Sequence, residues 1–233
     1  PVYSWFASQS ISAIVEKTES KDKSVLYLKK EFSLLENVNF IHFYDLANHY
    51  KDNKNYEDSI KYYSLALEDV SKESDLVHKI LYNRGISYER NNQWKKAEKD
   101  LLESLSLLPE QPYVLNYLAY SWVDKKMNIE KALGMLEEAV RLKENDGYII
   151  DSLGWAHYRN KNYVEAEKFL QKAVQLLPLD PIVNDHYADV LWMLNRNIQA
   201  RYFWKHAVSL NDIDIDVKEK INDKLIFGIN EKS

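Results

Sequence analysis

Asp185, His186 and Asp189 set an imidazole among carboxylates within five consecutive residues, the side-chain types that move protons in acid–base catalysis. Catalysis would also need a nucleophile or an oxyanion-stabilising motif, and the surrounding residues supply neither. His42 and His49 have metal-binding chemistry, but they stand seven residues apart. Two turns of helix span about 10 Å, too far for shared ligation of one ion. His157 lies at an apolar seam position and reads as a core histidine. Arg84 breaks the same seam and requires a nearby carboxylate, Asp100 or Glu103. The absence of cysteine removes disulfides, thiolate metal sites and cysteine nucleophiles together. No catalytic residue, cofactor or metal ion is assigned, and the chain is read as a non-enzyme.

The elements that must position these residues are helices. Five glycines and five prolines in 233 residues are too few for a loop-rich or β-rich fold. Pro1, Pro109, Pro112, Pro178 and Pro181 fall at the chain start or at predicted junctions. Small residues recur through the helices with a fixed period. Ala47, Gly85, Ala119, Gly154 and Ala188 are spaced by 38, 34, 35 and 34 residues. Two further series, Ser59, Ala97, Ala132, Ala166, Ala200 and Ala66, Ser104, Ala139, Ala173, Ala207, are spaced by 38, 35, 34 and 34. A mid-helix glycine such as Gly154 costs about 1 kcal/mol against alanine, which a close crossing of two backbones would offset. The long interval predicts longer helices or a longer link near Glu68–Val77, and the interval of 35 places one extra residue around Asp124–Asn128.

In Gly147 to Asp180, Leu153-Gly154, Tyr163, Ala166, Ala173 and Pro178 occupy positions 7, 8, 17, 20, 27 and 32 of a 34-residue repeat. This pattern resembles the tetratricopeptide repeat, an antiparallel helix pair that stacks on copies of itself. The resemblance implies an all-α fold, a right-handed α–α superhelix with five repeats at 40–77, 78–111, 112–146, 147–180 and 181–214. Residues 1–39 read as a degenerate helical hairpin, with Ala13 at the extrapolated position 8. Residues 215–233 read as a capping helix and tail, the helix carrying an apolar stripe of Val217, Ile221 and Leu225 and ending at Gly228. Asp146 and Asp180 are placed to cap helices, the latter with Pro181 at the first helical position. The phrases at 116–133, 146–160 and 184–192 are similar to the C-terminal repeats of alphaproteobacterial tetratricopeptide proteins. Less closely, the chain resembles lipoprotein adaptors of periplasmic C-terminal processing proteases. These resemblances imply a bacterial source and a binding role.

Positions 2, 5, 9, 12 and 13 of the first helix of each repeat share a stripe, which in tetratricopeptide proteins lines the concave groove. Of its twenty-five residues here, eight are aromatic, against 13% of the whole chain, and exposed aromatic surface on that scale marks a binding site. The candidate partner-binding residues are Tyr44, Asn48, Tyr82, Arg90, Asn116, Tyr120, Asp151, Trp155, Tyr158, Arg159, Asp185, Asp189 and Trp192. In the last three repeats the stripe carries Asp124, Asp151, Asp185 and Asp189 against Arg159 alone, an expectation of neutral or basic partners. The family's carboxylate clamp for acidic peptide termini is absent, because Tyr44, Tyr113 and Tyr117 stand where it needs basic residues.

The expected function is therefore a protein-interaction scaffold or adaptor. The alternatives are a structural self-association module of a larger protein and the non-catalytic part of an enzyme whose active region lies outside this chain. A net charge of −5 argues against a nucleic-acid partner, and no apolar run approaches the roughly 20 residues of a membrane span. The chain reads as a segment of something longer, or a processed product, of the bacterial cytoplasm or periplasm. Tyr3, Trp5 and Phe6 open the chain, so weak homodimerisation through residues 1–39 is a further expectation.

Overall fold

The computed structural model describes residues 2–72, 74–211 and 213–229, with the side chains of residues 2–4 outside the description. The described residues form thirteen helices and no strand. They divide into two compact units, Pro1–Pro109 and Glu110–Ser233. The N-terminal unit holds α1 (Val2–Thr18), α2 (Lys21–Ser33), α3 (Phe40–Asp52), α4 (Tyr56–Asp69), α5 (Val77–Arg90) and α6 (Trp94–Leu107). The C-terminal unit holds α7 (Pro112–Asp124), α8 (Ile129–Leu142), α9 (Gly147–Arg159), α10 (Tyr163–Leu176), α11 (Pro181–Met193), α12 (Asn197–Ser209) and α13 (Ile215–Phe227). Consecutive helices pair within each unit, and α9 also packs against α7 and α11.

The small-residue series mark where paired helices cross. Every residue of the three series is buried, including Gly85 and Gly154. A Cβ on Gly154 would lie 2.6 Å from Leu170 Cγ and 3.1 Å from the Leu170 backbone nitrogen, so α9 and α10 meet there without room for a methyl group. Gly134, on α8, faces no atom within 4 Å. Gly154→Leu is accordingly expected to destabilise the C-terminal unit by about 1–3 kcal/mol through overpacking. Gly134→Ala should be neutral or stabilising by up to about 1 kcal/mol. Thermal melts of the two variants check this, and equal tolerance would contradict the assigned crossing.

The turns inside the pairs share one construction. Lys54, Asn92, Lys126, Lys161 and Asn195 have positive φ, between 56° and 62°. Around them a backbone N–H reaches five residues back, from Asn55 to Tyr50, Gln93 to Tyr88, Met127 to Trp122, Asn162 to His157 and Arg196 to Leu191. This is the Schellman closure, which satisfies carbonyls that a helix end leaves open. The α7–α8 turn holds one residue more than the others and adds a second left-handed residue, Asn128. The long interval of 38 resides in the link between Asp69 and Val77. Asp146 and Asp180 cap α9 and α11, each carboxylate accepting two backbone N–H bonds.

In the N-terminal hairpin the crossing is shifted by one residue from the extrapolated register. Ala13 is exposed, and Ser12 takes the buried position, its hydroxyl 2.7 Å from that of Ser24 on α2. A pair of hydroxyls thus replaces the apolar small-residue contact of the later pairs. Trp5 folds back, buried against Leu28, Leu46 and Tyr50, and donates its indole N–H to Asp45 at 3.0 Å. Phe6 is 70% exposed, and the Tyr3 side chain lies outside the described residues. Arg84 is held as its seam position demands: it grips Asp100 through Nε at 2.7 Å and Nη2 at 2.9 Å, with Nη1 on Ser64.

Candidate functional site

The first helices of successive pairs carry the candidate residues, and each unit holds its own share. In the N-terminal unit, Tyr44 is half-buried against Tyr63, and its hydroxyl accepts from Asn83 at 3.3 Å. Asn48 accepts the Tyr63 hydroxyl at 2.6 Å, and Lys51 donates to Asn83. Tyr82 is half-buried and Arg90 is exposed. Between α3 and α5 a small apolar hollow of about 250 Å³ opens beside Phe40, Ile41 and Tyr44.

In the C-terminal unit, Asn116 keeps a buried Oδ1 with no hydrogen-bond partner among the described residues, and Tyr120 lies half-buried one turn further along α7. Trp155 of α9 lies at the centre of a ring stack, 4.7 Å from Tyr158 at 13° and 4.0 Å from His186 at 15°. Arg159 lies over the Trp155 ring at 5.9 Å. Trp192 packs on Trp204 and is covered by Gly228, whose φ of +72° no larger residue adopts easily and whose Cβ would overlap the indole.

The acidic residues require a correction to the expected electrostatics. Asp151 is buried and binds His186 Nδ1 at 2.9 Å. Lys224, reaching back from α13, lies 2.7–2.8 Å from both oxygens of Asp185 and of Asp189. Asp189 also accepts the Trp204 indole N–H at 2.9 Å. Three of the four carboxylates expected to favour basic partners are therefore engaged with this chain's own cations, and Asp124 alone stays exposed. The cluster around Asp185 and His186 is a buried ion network that fastens α13 to α11.

Burial sets the protonation of this network. Burial first, then Asp185, pushes the Asp189 carboxyl up to about 7 against the pull of Lys224. For His186, burial alone would favour the neutral ring, but Asp151 beside Nδ1 outweighs it and holds the imidazole above its ordinary range. Lys224 is likewise held up, by Asp189 and then Asp185, against burial. Asp189 and His186 both bind protons more tightly folded than unfolded, so stability falls as pH rises through their folded values. Thermal melts should therefore show the C-terminal unit losing stability from about pH 4 to about pH 7 through Asp189, and further above about pH 6.5 through His186. His186→Asn, which keeps a donor toward Asp151 but cannot titrate, should flatten the part of the slope above about pH 6.5 and leave the Asp189 part below it; an unchanged slope above about pH 6.5 would contradict the assignment.

Beside the stack lies an open cleft of about 540 Å³. Trp155, Tyr158, Tyr163, Met193 and Ile229 form its apolar wall, and Asp189 and Lys224 meet at its floor. Lys126, Arg159 and Lys161 complete its lining. Of the candidate residues, the structure brings Trp155, Tyr158, Arg159 and Asp189 together here. Tyr113 and Tyr148 are the exposed aromatics of the first-helix stripe, while Tyr44, Tyr82, Tyr120, Trp155, Tyr158 and Trp192 are half-buried. Lys126, Lys161 and Lys224 were outside the candidate set. The first two stand at position 15 of their repeats, where Lys or Asn recurs in every repeat. Among the described residues no group of three potential metal ligands converges, and no helix is long and apolar enough to cross a membrane.

Comparison with known proteins agrees with this geometry. Residues 78–111 and 148–180 match the tetratricopeptide repeat family. A TPR repeat-containing protein of Pseudomonas aeruginosa is 33% identical over 99 residues, 42% of this chain and 17% of the relative's length. The chain thus spans a small part of that relative. Among solved structures, a tetratricopeptide protein of Thermus thermophilus superposes with a TM-score of 0.66 at 15% identity, over 80% of this chain and 99% of its own. Cut9 in its complex with Hcn1 gives 0.73 at 16% identity over 92% and 42%. Yeast Tom70 gives 0.68 at 19% identity over 94% and 45%. At these identities the structures speak for the fold alone. With two segments matched to the repeat family and the all-α hairpin architecture around them, the chain is a tetratricopeptide-repeat protein.

Proposed function

We propose that the chain is a protein-interaction scaffold that holds a segment of a partner polypeptide along the first helices of its repeats. The observation that carries this reading is the cleft beside Trp155 and Tyr158, where aromatic surface stays open above a hydrogen-bonded pair of Asp189 and Lys224. The cleft is concave and sets charged side chains beside aromatic ones, and convergent polar groups beside apolar surface orient a bound ligand. The tetratricopeptide architecture supports the same role in general terms. A photo-crosslinking residue at Tyr148 or Arg159 is expected to capture a partner protein from extract, and one at Lys168, on the solvent face of α10, to capture none. Equal capture at all three positions, or capture only at Lys168, would overturn the reading.

Self-association is favoured by a separate observation, the apolar side chains of α1 and α2. Phe6, Ile14 and Leu26 are 70%, 60% and 68% exposed. Weak dimerisation through this hairpin is the second reading. Sedimentation equilibrium should show a dimer that Phe6→Ser with Ile14→Ser abolishes. A dimer that survives both changes would place the contact elsewhere. Deleting the hairpin would be a poorer test, because Trp5 belongs to the core of the next pair.

A further inference from the structure

We infer that the cleft of the C-terminal unit takes an acidic segment of a partner polypeptide, one with glutamates or aspartates flanking large apolar side chains. The inference rests on the scaffold reading above and names the chemistry of its partner. Two observations carry it. The first is the charge of the lining. On its floor, Lys224 is matched by Asp185 and Asp189, and behind Trp155 the imidazole of His186 is matched by Asp151. The remaining cations, Lys126, Arg159 and Lys161, have no carboxylate within 4 Å among the described residues; Arg159 has only the Trp155 ring. They give the cleft an excess of positive charge although the chain as a whole is negative.

The second observation is the way these cations are placed. Lys126 and Lys161 are the left-handed residues of two successive inter-helix turns, with φ of 56° and 62°. The same turn geometry, repeated one repeat apart, sets two ammonium groups along the lining, and Arg159 at the end of α9 adds a third charge. Apart from Asp189 and Lys224, the rest of the lining is aromatic and apolar. A segment carrying both carboxylates and bulky apolar groups satisfies both surfaces; a neutral or basic one leaves the three cations facing either nothing or like charge. These are not the basic clamp positions of the family, which hold tyrosines here. The site would read acidic side chains along a segment.

The turn geometry also supplies a clean variant. Glycine adopts positive φ without the steric cost that lysine bears, so Lys126→Gly with Lys161→Gly removes two charges while relieving backbone strain. Fluorescence anisotropy with three labelled peptides of one apolar framework tests the inference: Glu-Glu-Leu-Phe-Glu-Glu-Leu, its Gln counterpart and its Lys counterpart. The acidic peptide is expected to bind the full chain at least about tenfold more tightly than the Gln peptide in about 50 mM salt, with the gap narrowing as added salt shortens the screening length. The double glycine variant, with or without Arg159→Gln, should lose most of that preference with an unlowered melting temperature. Preference for the Gln or Lys peptide, or an acidic preference the variant leaves intact, would overturn the charge inference while leaving the scaffold reading to the crosslinking at Tyr148. Failure of all three peptides to bind would overturn the inference as well. Tighter binding of a labelled oligothymidine, lost in the same variant, would overturn it in favour of a single-stranded nucleic acid.

Discussion

Replacing Arg84 by Met is expected to lower the stability of the N-terminal unit by about 3–5 kcal/mol, the usual cost of leaving one member of a buried ion pair alone. Asp100 is 3% exposed, and both of its oxygens are bound by the Arg84 guanidinium. Met keeps the length and apolar body of the arginine side chain, so the loss would report the unpaired carboxylate rather than a cavity. The companion change Asp100→Asn should cost less when made together with Arg84→Met than the single variants cost in sum, since each removes the other's orphan. Urea denaturation of the four proteins measures this. A loss below about 1 kcal/mol for Arg84→Met would mean the pair is solvated in a way its geometry does not show.

The second large effect is expected at the other end of the chain. Lys224→Met leaves Asp185 and Asp189 facing each other without their cation, and a loss of about 3–5 kcal/mol is expected at pH 8. At pH 5 the loss should be smaller, because Asp189, whose carboxyl is already pushed up to about 7, can take a proton and stop repelling Asp185. The decisive feature is this dependence on pH. A loss of equal size at both values would show that Lys224 contributes through packing of its stem rather than through charge. Release should be local first: α13 is held by this network, by Ile221 and by the bond from Arg201 to the Leu225 carbonyl, so hydrogen exchange in 215–227 should rise before that of α9 or α11.

The fold was largely legible in the sequence because helix pairs that cross closely tolerate only small residues, and that constraint repeats with the pair. Gly154 against Leu170 is the plainest case. The capping carboxylates Asp146 and Asp180 and the demand of Arg84 for an acid were readable for the same reason: each is a local requirement of a helix end or a seam. The candidate site was less legible. Asp185 and Asp189 read as groove charges because their partner, Lys224, is 39 and 35 residues away on a helix outside the repeat, where the repeat period has no say. Asp151 read as a groove charge as well, because its partner, His186, belongs to the next pair. Lys126 and Lys161 stand at a recurring polar position, and only the path of the turns shows that they line a cleft. Ser12 in place of Ala13 shows the same limit: a repeat register extrapolated into a divergent hairpin fails by one residue, and a helix turns by 100° for each.

The central claim, that partners are held along the first helices of the C-terminal unit, is tested most directly by hydrogen–deuterium exchange. The protein would be compared alone and saturated with the polypeptide captured through Arg159. The account predicts slowed exchange in α9, in α11 and in the turns at 125–128 and 160–162, with α8, α10 and α12 unchanged. Protection confined to α8, α10 and α12, or to residues 2–33, would contradict it.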